Sequence, residues 1–212
     1  RRNGLLLLAI VFALAGATVT NALMRGWQYD MLDRAVENLV GHVKVQAFDY
    51  RDDPNMQHSF TLPQGYAPVI GGVEVVGWAP RIKVPAVVLS ERQSRGVQLV
   101  GVDPDRENIS FFSELDFVGE TLANSDDGRI ILGAELARQL QTTVGRKVVV
   151  LTQGADGKNR ERGFRVAGTF DADGLSLEKA FAFTGLAATQ NFLRDRSTNT
   201  VAPRVTEVSV LL

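Results

Sequence analysis

The sequence predicts a mixed α/β (α+β) fold: one membrane-spanning helix with a stalk, then an α/β domain interrupted by a smaller inserted α+β unit. Three observations predict it. Residues 4–24 are apolar and carry no charge. From His42 onward, short strand patterns alternate with short helical ones. The pattern changes character at Asp105 and resumes its first form after Phe170. The expected boundaries are therefore 1–24 (spanning helix), 25–40 (stalk), 41–104 with 171–212 (main extracytoplasmic unit) and 105–170 (insertion).

Gly4 to Met24 reads GLLLLAIVFALAGATVTNALM. A helix needs about 20 apolar residues to cross the hydrocarbon core. Arg1 and Arg2 precede the run and favour a cytoplasmic amino end, with everything after Met24 outside. A cleaved signal peptide is the first competing reading. Ala13-Leu14-Ala15 mimics its cleavage site, but the apolar run continues past it. A buried helix of a soluble protein is the second, and it would show a polar face. An anchor fits the length and flanks best. The chain opens on Arg1 rather than Met and reads as a piece of a longer protein with further membrane content.

Beyond the anchor, Trp27, Met31, Ala35 and Leu39 recur every four residues, with charged side chains on the other side. That spacing makes an amphipathic helix continuous with the anchor, stopped by Gly41. Its apolar stripe, Trp27, Met31 and Ala35, is a candidate surface for a partner helix or for a second stalk of the same protein.

His42 to Ala47 alternates as a half-buried strand. Phe48 to Tyr66 is polar and reads as a long loop. Pro80 and Pro85 divide the Val-rich stretch after Val73 into two strands, 73–82 and 84–90, with a bend. Gly96 to Val102 is a strand ended by Asp103-Pro104. Ser110 to Leu122 reads as a short helix and turn, Asn124 to Gly128 as a tight turn, Arg129 to Leu132 as a strand and Gly133 to Leu140 as a helix. Gly145 to Thr152 and Arg162 to Phe170 form a hairpin around Gly154-Ala155-Asp156-Gly157-Lys158. Ala180 to Phe183, Gly185 to Leu193 and Val205 to Leu212 give strand, helix and strand. These can pair with the strands at 41–47 and 73–102.

Net charge is −1, which gives nucleic acid no basic face to bind. The absence of cysteine excludes disulfides, thiol nucleophiles and thiolate metal sites. Only His42 and His58 are histidines. His58 stands among Asp49, Asp52 and Asp53 without the spacing of a known metal site, so a solvated loop is the better reading. No GxSxG, HExxH, GxGxxG or phosphate-loop motif occurs; Gly154 to Lys158 has the wrong spacing and reads as a hairpin tip. Asp103, Asp105, Glu114, Asp116 and Glu120 would make a catalytic acid site only if a pocket gathered them.

Several short motifs, taken in order, resemble one family. They are Gly41-His42-Val43-Lys44-Val45 after the stalk, Val100-Gly101-Val102-Asp103-Pro104, Gly119-Glu120-Thr121-Leu122 followed by Ile130 to Ala137, Val144 to Val148, Phe164 to Phe170, and the closing Val205 to Val210. Together they resemble the MacB/LolC/LolE/FtsX-like ABC transporter permeases over nearly the whole chain. The resemblance implies a porter-like α/β subdomain carrying a smaller insertion. It implies a non-catalytic permease subunit in the bacterial inner membrane that couples cytoplasmic ATP hydrolysis to movement or release of an envelope substrate, such as a lipoprotein, peptide or drug. The implied partners are a cytoplasmic ABC ATPase, a second permease copy or paralogue in a dimer, and a periplasmic partner or carrier. The chain itself would hold no cofactor and no metal, with ATP bound by the ATPase. The hairpin tip, through Gly154, Asp156, Gly157 and Lys158, is the candidate contact for a periplasmic partner, though it is short for the carrier-binding hairpin of the lipoprotein-releasing members. An FtsX-like subunit that activates a periplasmic hydrolase without transport is the alternative, and a signal-anchored periplasmic enzyme is a third reading.

Overall fold

The computed structural model describes Gly16, Thr18, Thr20 and residues 43–63, 65–109, 112, 115–172, 177–194 and 203–212. The expected anchor lies almost wholly outside these residues, and the stalk lies outside them entirely. Among the described residues no helix is long and apolar enough to cross a membrane.

Eleven strands follow in order: β1 Val43–Gln46, β2 Phe60–Thr61, β3 Gly77–Leu89, β4 Ser94–Val102, β5 Asp116–Gly119, β6 Ile130–Gly133, β7 Lys147–Gln153, β8 Asn159–Asp171, β9 Phe181–Gly185, β10 Arg204–Val205 and β11 Glu207–Leu211. Among the described residues from Val43 onward the α-helices are α1 Ala134–Gln139, α2 Leu177–Ala180 and α3 Leu186–Leu193. Nine strands share one sheet, and six of them close on themselves. Around the ring, β3 pairs β4, β4 pairs β9, β9 pairs β6, β6 pairs β8, β8 pairs β7, and β7 returns to β3. The β4–β9 and β6–β8 pairs are parallel. A closed ring leaves no free edge. Outside it, β11 pairs the first half of β3 and β1 pairs β11, while β5 pairs the second half of β8.

Alternation along each strand decides what fills the ring. Ile82, Val84 and Val88 of β3, Leu99 of β4, Ala182 of β9, Val148 and Val150 of β7 and Phe164 of β8 meet in one buried cluster. Leu136 and Leu140 of the α1 segment and Phe192 and Leu193 of α3 join it, so the two helices plug the ring. The opposite faces of β4, β6 and β9 are apolar too. Val100, Ile131, Phe181 and Phe183 form a second cluster outside the ring, closed by Phe112, Leu122 and Phe170. Phe183 packs edge-on against Phe112 and Phe170, with ring centres 5.2 and 5.3 Å away. Both plug helices start at a glycine held by close approach. A Cβ at Gly133 would run into the backbone of Glu178, and one at Gly185 into the backbone of Ser125 and Asp127.

Three expectations change. The two strands expected around the prolines are a single strand, β3. The reason lies in hydrogen-bond parity. Thr206 N–H donates to the Arg81 carbonyl, Lys83 N–H donates to Thr206 Oγ1, and Thr152 Oγ1 donates to the Pro85 carbonyl. Odd residues of β3 thus face the edge where β11 has ended and β7 has barely begun. Pro85 lacks its N–H where no strand asks for one. Residues 116–119, expected in a helix-and-turn segment, are strand β5, because the second half of β8 runs past the start of β7 and takes a new partner there. The 48–66 loop contains two 3-10 turns and β2, and it buries Tyr50 and Met56. Strands from the 105–170 stretch take part in the common sheet: β6 lies between β9 and β8, and β7 between β8 and β3. By contrast, the hairpin at 145–170, the helices at 134–139 and 186–193, and the pairing of the last third with β1, β3 and β4 match the sequence reading.

One backbone position invites a test. Gln141 follows α1 with φ +52°. Its neighbours close the helix as Thr142 N–H bonds to the Ala137 carbonyl and Gln141 N–H to that of Arg138. A left-handed residue with a Cβ costs about 1–2 kcal/mol, partly regained by glycine after its larger unfolded-state entropy. Gln141→Gly is expected to raise stability by roughly 0.5–1 kcal/mol, read from the denaturant midpoint.

Candidate functional site

The described residues that combine charge with full burial sit where β1, β11 and β3 run side by side. Register places Lys44 opposite Ser209, Gln46 opposite Glu207, and Glu207 opposite Arg81. Because side chains alternate, these share one face, while Val208 and Val210 turn to the core. The 3-10 turn Pro104–Ile109, which follows β4, lays Glu107 against this face.

Arg81 is 4% exposed, Glu107 1% and Glu207 2%. The Arg81 guanidinium grips Glu107 with two hydrogen bonds, Nε to Oε1 and Nη2 to Oε2, both 2.7 Å. Its Nη1 donates to Ser209 Oγ at 3.2 Å and lies 3.9 Å from Glu207 Oε1. Lys44 Nζ stands 3.0 Å from Glu207 Oε2. That oxygen has no aligned hydrogen bond, so the contact is an ion pair held by charge alone. Burial works against the Arg81 charge, but the hydrogen-bonded carboxylate of Glu107, with Glu207 nearby, more than offsets it and holds the pKa above its ordinary value. Lys83 goes the other way. Burial lowers its pKa, with Lys44 and Arg81 adding to the effect against the pull of Glu207, and its ammonium rests over the Phe181 ring. Tyr50 donates its hydroxyl to the Lys83 carbonyl. Burial pushes the Tyr50 phenol up to about 12, against a lowering hydrogen bond to Thr206. The result is a charged bridge, Lys44–Glu207–Arg81–Glu107, running from the first strand through the last to the 3-10 turn that follows β4.

The sequence-derived candidates fall elsewhere. Trp27, Met31 and Ala35 lie outside the described residues. Gly154, Asp156, Gly157 and Lys158 form the β7–β8 turn as expected, but the turn is tied to its own domain. Asp156 pairs with Arg160 at 2.7 Å, Ala155 N–H bonds to the Leu193 carbonyl, and a Cβ on Gly157 would strike Gln57. Only Lys158 of the four is exposed. The described acids do not gather, and Glu114 lies outside the described residues. Asp103 pairs with Arg106, Glu120 with Arg129, and Asp116 sits on β5 opposite Asp171. Asp127, which also holds Arg129, is pulled down to about 2 by that guanidinium. Among the described residues no group of three or more His, Asp or Glu side chains is placed to hold a metal. Two hollows, about 280 Å³ beside Met56, Pro85 and Leu151 and about 150 Å³ beside Ser90, Arg92 and Arg146, contain no histidine. The bridge itself was missed. The available signal was a pair of cations, Arg81 and Lys83, inside the otherwise apolar run GWAPRIKVPAVVL.

The first and last strands of the sheet are neighbours, with Val43 opposite Val210. Such a fold defines a sheet-rich α+β domain whose first and last described strands are neighbours, with no catalytic constellation among its described residues. The chain belongs to the MacB-like periplasmic core domain family, which matches it over residues 4–211. Membership implies a membrane-anchored protein with its domain outside the cytoplasm, as part of a permease-type component of an ABC transporter. Among solved structures it is similar to the extracellular domain of the noncanonic ABC-type transporter YknZ from Gram-positive bacteria, at 17% identity and a TM-score of 0.48, covering 74% of this chain and 77% of that one. It is similar also to the periplasmic region of MacB from Actinobacillus actinomycetemcomitans, at 12% identity and a TM-score of 0.44, covering 67% and 60%. No curated protein matches the sequence.

Two measurements test the bridge. Glu107→Ala strands a buried guanidinium and is expected to cost about 3–5 kcal/mol, whereas Arg81→Met/Glu107→Leu removes both charges and should return to within about 1–2 kcal/mol of the parent. Denaturant midpoints decide. For Tyr50, the unfolded phenol titrates near 10 and the folded one near 12. Its contribution is therefore complete below about pH 10 and lost as pH rises through about 12, on the order of 2–3 kcal/mol in all. The difference in stability between parent and Tyr50→Phe should shrink across that window by this amount.

Proposed function

We propose that this chain is the first extracytoplasmic portion of an ABC transporter permease subunit of the MacB/LolCDE type, acting as a mechanical coupler rather than an enzyme. Residues 4–24 anchor it in the bacterial inner membrane with the amino end cytoplasmic, and residues 25–40 form the stalk. A cytoplasmic ABC ATPase binds and hydrolyses ATP, and this chain holds no cofactor of its own. A second copy or a paralogue completes a dimer. The substrate is an envelope molecule such as a lipoprotein, peptide or drug.

The observation that carries this reading is the adjacency of β1 and β11, locked by the bridge to β3. A displacement delivered to β1 passes to β11 and β3 through backbone ladders, and to the Pro104–Ile109 turn through Arg81 and Glu107. Strand β3 then continues for 13 residues into the ring. The turn Gly154–Lys158, packed on Leu193 and Gln57, gives no support to carrier binding through an extended hairpin.

The test uses the full-length gene product from its own membranes in a gentle detergent. An ABC ATPase is expected to co-purify. The 212 residues contain no cysteine, so Val87→Cys places a single spin label in this domain, with any cysteine elsewhere in the full-length product replaced by serine. The label-to-label distance between protomers should shift between the nucleotide-free and ATP-trapped states. A protein that comes out without an ATPase, or whose distances ignore nucleotide, does not couple in this way.

A further inference from the structure

We propose that the hollow of about 150 Å³ between the β3–β4 turn, the end of α1 and the start of β7 binds a small tetrahedral oxyanion, inorganic phosphate or the terminal group of a phosphomonoester. This goes beyond the transport reading and does not rest on it. Three segments build the walls, 90–92, 141–143 and 146–147. The Ser90 hydroxyl ties the first to the second through the Leu140 carbonyl at 2.6 Å, and Arg146 N–H ties the third to the Thr143 carbonyl at 3.1 Å. The walls are therefore fixed to one another before any ligand arrives.

Charge selects an anion. Arg92, Arg146 and Lys147 line the hollow against a single carboxylate, Glu91. The chain as a whole has a net charge of −1, so this site runs against the overall balance. Elsewhere Arg81, Arg106, Arg129, Arg138 and Arg160 each lie against a carboxylate. Here the Arg92 guanidinium and the Lys147 ammonium have no carboxylate in ion-pair range among the described residues. Arg146 meets exposed Glu91 only at 3.9 Å.

Two further observations are independent of charge. Thr142 is 7% exposed, yet its hydroxyl has no hydrogen-bond partner among the described residues. A buried hydroxyl ordinarily finds one, and Thr142 lines this hollow. In the same wall stands Gln141, the one non-glycine residue with positive φ among the described residues, at +52°. Glycine would hold that turn without strain, so what glutamine adds is its side-chain amide. Backbone strain of this kind gathers at ligand clamps. Guanidinium, ammonium, hydroxyl and amide can all donate, and they come from three walls. A carboxylate offers two oxygens in one plane, whereas a phosphate offers several pointing in different directions. The volume is below the ~300 Å³ at which drug-sized ligands begin to fit, which leaves room for an ion or a terminal group but not for a nucleotide.

The experiment titrates inorganic phosphate into the full-length protein, in detergent and free of nucleotide, in a calorimeter at about 0.1 M salt. The expected result is a site with a dissociation constant below about 1 mM that acetate at the same ionic strength does not fill. Arg92→Gln/Arg146→Gln/Lys147→Gln should abolish it, and Lys147→Gln alone, at an exposed position, should weaken it about 10-fold. Thr142→Val should weaken it about 3-fold, which a diffuse cationic surface would not show. Gln141→Gly should weaken it by a similar factor while raising the denaturant midpoint, so poor folding does not account for the loss. Glycerol phosphate should compete with phosphate, and dihexanoyl phosphatidylglycerol, whose phosphate is a diester, at least about 10-fold less well. Absence of a site, binding that survives the triple variant, acetate binding equally, or Thr142→Val and Gln141→Gly both at parental affinity overturns the proposal. So does a diester that competes as well as phosphate, which would assign the site to a lipid headgroup. ATPase co-purification is scored on the same preparation and bears on the transport reading alone, so the two can fail separately.

Discussion

Strand β3 carries an edge that two strands share and neither completes. β11 holds its first residues, β7 its last, and the few between are served by side chains: Thr206 for the Lys83 amide, Tyr50 for its carbonyl, Thr152 for the carbonyl of Pro85. A buried backbone group without a partner costs on the order of 1–3 kcal/mol, so each hydroxyl is a structural requirement. The same gap admits a proline in an interior strand. It is also where Arg81 turns from the terminal strands toward the 3-10 turn after β4. The ring, the terminal strands and the 3-10 turn after β4 are three systems, and β3 is the element they share.

Within the ring, β6 with α1 and β9 with α3 repeat one device. Each is an apolar strand, buried on both faces, that ends in glycine and turns at once into a short helix that dives into the core. The two strands are antiparallel neighbours, so their helices leave in opposite directions. Thr189 packs over Gly101, where a Cβ would lie 2.6 Å from its Oγ1, and its hydroxyl bonds back to the Gly185 carbonyl. At the other plug, the Ser90 hydroxyl bonds to the Leu140 carbonyl and ties the β3–β4 turn to the end of α1. Neither helix has a side-chain N-cap, and at six and eight residues neither is stable alone. Burial of Leu136, Leu140, Phe192 and Leu193 holds them.

That device was legible in the sequence, since IILG before AELARQL and FAFTG before LAATQNFL carry both periodicities and the glycine between them. The β7–β8 hairpin was legible for a similar reason: its register follows from a local turn. What could not be read locally was pairing set by distant partners. Residues 116–119 have no strong strand pattern of their own and become β5 because β8 overhangs β7. Pro85 argues against an interior strand unless the gap beside it is known. The closure of the ring depends on β7 meeting β3, with roughly 60 residues between the paired positions. For the candidate site, Arg81 stood out as a charge in an apolar run, but Glu107 looked like one more acid in a polar turn, and Glu207 like the outer residue of an alternating strand. Only the fold makes them a buried set.

A buried ion bridge is a costly way to hold strands together, because well-packed apolar groups would do so without desolvating charge. What it adds here is register. A slip of β11 by one residue along β3 would turn Glu207 into the core and Val208 onto the polar face, and it would take Ser209 away from Arg81. A slip by two residues would keep the faces and replace one valine by another, so the apolar face resists it weakly, but it too would take Glu207 and Ser209 away from Arg81. Terminal strands that carry load, on the coupling proposed above, must pass displacement on rather than creep. What opposes creep of β11 is the contact of Arg81 with Ser209 Oγ at 3.2 Å and with Glu207 at 3.9 Å, because a slip strands the buried Glu207, while the two-bond pair with Glu107 fixes the turn after β4. The exposed end of the bridge, Lys44 on β1, carries the least of this penalty, being partly solvated. The locked element is thus β11 on β3, with β1 attached to it more loosely.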